Sequence, residues 1–243
     1  MLVTVYGMSL ELPDHDTVIA KRLQSGPYEE PSVNRVMGWL RDGDVVIEGG
    51  AHCGYYTCLA ARAVGPKGRV YAFEPNTENH KLLTRNVNAN APENVTIINA
   101  GLADRDDVLE LHCDPENTGA HTFGEDRGGP PQRACVCAID NLEHFAERVD
   151  FVKLDIEGFE IRALRGMKDT VARQARIAML VEYSPASLSG AGHDPTELLD
   201  TLLDMGFNLE FAQHPGRVRT ADIQRRCPTG SMRHTNLWCV KGT

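Results

Sequence analysis

The sequence predicts an α/β fold of Rossmann-like type: a mostly parallel sheet with helices on both faces, one antiparallel edge strand and an inserted β-hairpin. Three observations predict it. Apolar runs of strand length alternate with helical segments over residues 44–98 and again over 151–205. The first strand runs into a glycine turn, Glu48-Gly-Gly-Ala-His-Cys-Gly54, that opens a helix. The second strand, 69–73, ends in Glu74-Pro75, and Glu74 lies about 20 residues past Gly54, where an acid accepts hydrogen bonds from ribose hydroxyls.

Taken in order, residues 1–43 form a leader, with a short hairpin around 1–12 and a helix over 31–40. Tyr28-Glu29-Glu30 either covers a ligand or belongs to an ordinary packed leader. Asp44-Val-Val-Ile-Glu48 is a buried-type strand. The helix over 54–64 points its N-terminal N–H groups at whatever fills the turn. Strand 69–73, helix 77–90 with Leu82, Leu83 and Val87 on one face, and strand 94–98 follow. Residues 105–138 then break the alternation as an insertion. Segments 108–112 and 133–137 alternate like a half-exposed strand pair. Between them 116–132, rich in Gly, Pro and Asp, reads as a mobile loop placed to be a substrate lid. A helix over 140–147, strand 151–155, helix 160–173 and strand 177–182 resume the pattern. Helix 195–205 carries Leu198, Leu199, Leu202 and Leu203 on its core side. Segments 207–211 and 235–240 close the sheet as an antiparallel pair. With no repeat and no dividing linker, all 243 residues read as one domain.

Glycine spacing narrows the ligand. A dinucleotide turn, G-x-G-x-x-G, needs glycine where Ala51 stands. The turn present starts instead with an acid, which repels a pyrophosphate but accepts hydrogen bonds from an ammonium group. S-adenosylmethionine carries an ammonium, a sulfonium and no phosphate, and so suits it. A glycine turn serving only strand–helix packing is the bland alternative, and a nicotinamide oxidoreductase is the rival of similar layout.

Four stretches, VVIEGGAHCGYYT, GRVYAFEPNTENHKLLTRNVNAN, VTIINAGLAD and VDFVKLDIEGFEIRALRGM, resemble those of FkbM-type methyltransferases, within the class I S-adenosylmethionine-dependent superfamily. They stand in family order over roughly 44–182. Lys153-Leu-Asp155-Ile-Glu157-Gly158-Phe-Glu160 is the most family-specific. The chain departs at Glu48, usually Asp, and at His52, usually Asn. The resemblance implies a cofactor site in which Glu48, Gly50, Ala51, His52 and Gly54 shape the methionine side. Glu74 takes the ribose, Pro75 and Asn76 adjoin it, and Leu102 and Ala103 lie near adenine. It implies a small-molecule acceptor, often a hydroxyl on a sugar or secondary metabolite.

Methyl transfer requires alignment of a nucleophile and, for a hydroxyl, removal of its proton. Asp155 ends the fourth strand at the crevice, with Glu157 and Glu160 after it. Asp155 and Glu157 are candidates for the general base; alternatively Asp155 bonds the cofactor's amino group and Glu157 caps the next helix. Asp155 with Glu182 offers hard oxygen ligands to a divalent ion such as Mg²⁺. Among histidines, His121 in the loop is the candidate base, with His193 and His234 competing; each also reads as an ordinary loop histidine. Cys135-x-Cys137 lacks the turn that zinc knuckles use, and no G-x-S-x-G is present.

Net charge −9 without a basic stripe argues against nucleic acid. No stretch reads as a membrane span or signal peptide. The seven cysteines read as reduced thiols of a cytoplasmic protein. A homodimer is left open, as is a non-enzymatic cofactor- or partner-binding role.

Overall fold

The computed structural model describes residues 1–16, 18–90, 93–142 and 147–242. The leader hairpin pairs β1 (Leu2–Val5) with β2 (Met8–Glu11), and α1 (Ile19–Gln24) and α2 (Glu30–Trp39) follow. The hairpin docks through β2, whose Glu11 N–H donates to Asn86 Oδ1 at 2.7 Å. The core alternation is β3 (Val45–Gly49), α3 (Tyr55–Val64), β4 (Arg69–Phe73), α4 (Thr77–Asn90) and β5 (Val95–Ile98). A separate three-stranded sheet joins β6 (Gly101–Leu102), just before the insertion, to the inserted β7 (Asp107–Leu111) and β8 (Gln132–Cys137). Then come β9 (Phe151–Leu154), α5 (Glu160–Arg165), α6 (Lys168–Arg173), β10 (Ile177–Tyr183), α7 (Pro185–Gly190) and α8 (Pro195–Asp204). The chain ends with β11 (Asn208–Phe211), β12 (His214–Arg217), α9 (Thr220–Arg226) and β13 (Thr235–Lys241).

The main sheet runs β12-β11-β13-β10-β9-β3-β4-β5. From β10 to β5 every pairing is parallel, whereas β13 runs antiparallel to both β10 and β11. Alternate residues of one strand feed two cores. Val46 joins the cluster beneath α3 and α4, while Ile47 joins the cluster beneath α5 and α8. That is why these strands read as continuous apolar runs rather than as alternating ones. Strand order reverses between β3 and β9, which opens the crevice at their carboxyl ends.

Several expectations change in detail. The antiparallel edge is one strand longer, because β12, exposed along its length, pairs outside β11. Its Pro215 and Gly216 hid it, since proline in a sheet is confined to such edges. The helix expected over 160–173 is two helices. At the break, Gly166, a Cβ would stand 1.9 Å from the Ala103 carbonyl oxygen, so only glycine fits there. Of the helix expected over 140–147, a 3₁₀ turn at Ile139–Asn141 is present, and 143–146 lie outside the described residues. Helices α1, α7 and α9, of six or seven residues each, were too short to leave a helical period. Among the described residues no helix is long and apolar enough to cross a membrane.

In the insertion, β8 pairs parallel with β6 and antiparallel with β7. The loop between β7 and β8, expected to be mobile, is tied down at both sides of the crevice. Asn79 Nδ2 donates to the Thr118 carbonyl at 2.8 Å, and Thr122 Oγ1 donates to the Glu157 carbonyl at 2.6 Å. The Phe123 ring packs on Phe159, centroids 5.1 Å apart.

Candidate active site

The turn after β3 folds as it does because backbone crowds backbone. Gly50 has φ +77°, and a Cβ there would lie 1.9 Å from the Asp155 carbonyl oxygen. Gly54, at φ +88°, starts α3 and would push a Cβ to 2.8 Å from Leu83 Cδ1. His52 also takes a left-handed φ, +51°, rare outside glycine and stored strain in a functional turn. Its backbone N–H donates to Glu74 Oε2 at 2.8 Å, so the turn is fastened to the end of β4.

One cavity gathers Glu48, Gly50, Ala51, His52, Glu74 and Pro75 from these strand ends, with Leu102 beside them. Glu48 is buried and accepts from Thr57 Oγ1 at 2.6 Å. Glu74 accepts from the backbone N–H groups of His52 and, at 3.0 Å, of Asn76. Burial pushes both carboxyls up to about 7. A carboxylate has about four lone-pair sites, so capacity remains at Glu74 for ribose hydroxyls, and at Glu48 for an ammonium. This set of acceptors fits S-adenosylmethionine. Three expected cofactor residues sit outside the cavity lining. Asn76 Oδ1 caps α4 through the N–H groups of Glu78 and Asn79, both at 3.0 Å, and its Nδ2 turns to Cys113 Sγ. Ala103 is buried against Gly166, and Gly54 lies behind the turn, shaping it from below.

Beyond the turn the same cavity is lined by Asp155, Glu157 and Glu182, whose carboxylate oxygens lie within 4.8 Å of one another. Asp155 Oδ2 accepts from Lys153 Nζ at 3.0 Å. Lys153 is buried, with Nζ 4.9 Å from the centre of the Tyr56 ring. Burial alone would depress this lysine, but Asp155 and Glu48 hold its pKa above the ordinary value. Glu157 accepts from Ser187 Oγ at 2.8 Å, and burial beside Asp155 pushes it up to about 7. Glu182 Oε2 is sealed from solvent and has no hydrogen-bond partner among the described residues. Burial, with Asp155 and Glu157 adjacent, drives the Glu182 pKa well up.

Glu160, rather than Glu157, braces the turn into α5. It accepts from the N–H groups of Ile156 at 3.0 Å and Gly158 at 3.1 Å, and burial pushes it up to about 8. His121 lines the cavity, accepts at Nδ1 from the Asp114 N–H at 3.0 Å, and is held neutral by burial. His234 stands at the rim, whereas His193 lies 3.3 Å from Glu197 and outside the cavity lining.

Of the leader segment Tyr28-Glu29-Glu30, the first two residues reach the cavity and Glu30 is exposed at the start of α2. Glu29 accepts from Tyr56 Oη at 3.0 Å and from Asn236 Nδ2 at 3.0 Å, and both Tyr28 and Glu29 line the cavity. Sequence reasoning passed over Lys153, although a lysine inside the apolar strand Phe151-Val-Lys-Leu signals a buried charge that needs a partner. It also passed over Asp16, Thr118 and Tyr56, which no local pattern marks.

Comparisons with known proteins give the family and the fold. The methyltransferase FkbM domain family matches residues 48–209. Hexuronic acid methyltransferase AglP of Haloferax volcanii is 25% identical over 188 residues, covering 76% of this chain and 72% of that protein. An S-adenosylmethionine-dependent O-methyltransferase of Thermotoga maritima superposes with TM-score 0.52 at 17% identity, over 100% of this chain and 78% of that one. A precorrin-6y C5,15-methyltransferase of Geobacter metallireducens gives 0.51 at 15% identity, over 96% and 98%. These two likenesses concern the fold. The family match runs from the acid that ends β3 into β11, through both strand-end acids and the Lys153–Glu160 stretch. The chain belongs to the FkbM methyltransferase family.

Proposed function

We propose that the chain is an O-methyltransferase that acts on a hydroxyl of a small molecule, a sugar or a secondary metabolite. The observation that carries this reading is the sealed, partnerless Glu182 Oε2 among the oxygens of Asp155 and Glu157. Burial and the neighbouring acids raise Glu182 well above its ordinary value, so it offers both an O–H and an acceptor oxygen, and a hydroxyl, which both donates and accepts, completes it. A hydroxyl acceptor brings donors to this end, and a carboxylate brings none. When bound, S-adenosylmethionine supplies a methyl group activated by its sulfonium. Glu48 and the Gly50–Gly54 turn hold its methionine end, Glu74 accepts from the ribose, and Pro75 and Leu102 flank the adenine. Asp155 takes the proton of the acceptor hydroxyl, and the bond from Lys153 Nζ holds its carboxyl in place. Glu157 orients the acceptor, with His121 above it as a neutral hydrogen-bonding group. The 112–131 loop covers the acceptor. The hexuronic acid methyltransferase among the relatives supports a sugar acceptor.

A second reading has a specific observation behind it: the same three oxygens would hold a divalent ion such as Mg²⁺. Transfer of labelled methyl to hydroxylated glycans and natural products, with and without chelator, tests both. Hydroxyl methylation that survives chelation supports Asp155 alone, and loss restored by Mg²⁺ supports the metal. An amine or carboxylate as best acceptor overturns the hydroxyl reading. Calorimetry with S-adenosylhomocysteine and with NAD separates it from an oxidoreductase.

A further inference from the structure

Three side chains from distant parts of the chain form one hydrogen-bonded line running from the cavity lining into the leader: His52 of the glycine turn and Thr118 of the 112–131 loop, which line the cavity, and the buried Asp16 of the leader. Asp16 is buried and spends Oδ1 on the N–H groups of Val18, at 2.8 Å, and Ala20, at 3.2 Å. Its Oδ2 accepts both the Thr118 N–H, at 3.1 Å, and the Thr118 hydroxyl. Burial opposes its charge, but the bonds from Thr118, Ala20 and Val18 win and hold the Asp16 carboxyl below its ordinary value.

Proton positions follow. An ionised Asp16 is acceptor-only, so the single Thr118 hydroxyl proton points to it. Thr118 Oγ1 can then only accept from His52 Nε2, 2.7 Å away. Burial lowers the His52 pKa to about 4, so the ring is neutral and carries its proton on Nε2. The backbone N–H of the same residue donates to Glu74 Oε2. The ribose-accepting carboxylate and the loop over the cavity are therefore joined through one strained residue.

We propose that His52 is a positioning residue that couples cofactor occupancy at Glu74 to closure of the 112–131 loop, through Thr118 and Asp16. The proposal rests on the cofactor site described under Proposed function. With Glu74 engaged by ribose, the turn is fixed and the His52 ring offers its N–H in register with Thr118. Without ribose the same bonds are made but open more readily, so the loop exchanges faster. Both partners of the line act on the loop, and none of the three need touch the reacting atoms.

Amide hydrogen exchange of the 112–131 loop, read with and without S-adenosylhomocysteine, tests it on wild type, Thr118→Val and Thr118→Ser. Wild type should gain at least about tenfold protection in this loop on binding, in line with a hydrogen bond to a charged group. Thr118→Val keeps the side-chain shape but removes the donor and acceptor. It should keep S-adenosylhomocysteine affinity within about threefold while losing the added protection. Thr118→Ser, which retains the hydroxyl, should restore it. A merely structural contact would lower loop protection equally with and without the ligand, and that result overturns the proposal. So does ligand-dependent protection that persists in Thr118→Val. Absence of S-adenosylhomocysteine binding to wild type by calorimetry would instead overturn the underlying cofactor reading.

Discussion

At the turn end of the cavity Glu74 receives N–H groups from His52 and Asn76, and Glu48 receives the Thr57 hydroxyl. At the far end Glu182 keeps an oxygen sealed from solvent with no donor, and Glu157 has the Ser187 hydroxyl with Arg127 only at 3.9 Å. The side chains are alike, and the difference lies in who supplies the donors. Where the protein supplies them, the carboxylates are fixed before any ligand arrives, which suits a ligand recognised the same way each time. Where it does not, the ligand must complete the network, which suits selection of an acceptor by its hydroxyls.

The largest effect expected is on turnover at the far end. Asp155→Asn removes the candidate base and leaves Lys153 without its carboxylate. Methyl transfer should fall about 10²- to 10³-fold, while S-adenosylhomocysteine affinity by calorimetry moves within about threefold. A loss of affinity as large as the loss of turnover would show Asp155 serving the cofactor's amino group, and the division between the ends would fail.

The converse change acts at the turn end. Glu74→Gln replaces an acceptor-only group by one that presents an amide N–H to the backbone donors of His52 and Asn76. Loss of charge-assisted bonds to ribose, each worth about 1.5–3 kcal/mol, should weaken S-adenosylhomocysteine at least tenfold. The rate at saturating cofactor should change little. A fall in that rate with unchanged affinity would place Glu74 in the chemistry and dissolve the comparison from the other side.

The two ends also differ in how far the sequence discloses them. The turn end is contiguous: strand, Gly50, Gly54 and the acid of the next strand follow at fixed spacings, because the backbone itself must approach Asp155 and reverse. The far end is assembled from β9, β10, the leader and the loop between β7 and β8. Asp155 and Glu157 were legible because an apolar strand delivers them, and Glu182 because it ends the next one. The Asp16–Thr118–His52 line was not, since its members lie in three segments and none sits in a periodic pattern. Likewise β12, with proline and glycine in two of its four positions, exists through edge pairing alone.

The smallest effect expected is on stability, and its sign is the most telling. Glu48, Glu74 and Glu157 are pushed up to about 7, Glu160 to about 8, and Glu182 well above its ordinary 4.5. The folded protein thus retains protons that the unfolded chain has released. Stability from these groups is complete below about pH 4.5 and is lost as pH rises through about 7 to 8. The ligand-free protein should therefore melt lower at about pH 8 than at about pH 5. Glu182→Gln takes one such group out of the titration and adds an N–H donor facing Asp155 and Glu157. It should stabilise the protein by about 1 kcal/mol at the higher pH, a rise of about 2–4 °C in melting temperature, with a much smaller change at the lower pH. Thermal scans at both pH values, with chelator present, provide the measurement. Destabilisation at both would mean that Glu182 already has the partner it needs, and the contrast between the two ends would then rest on Glu157 alone.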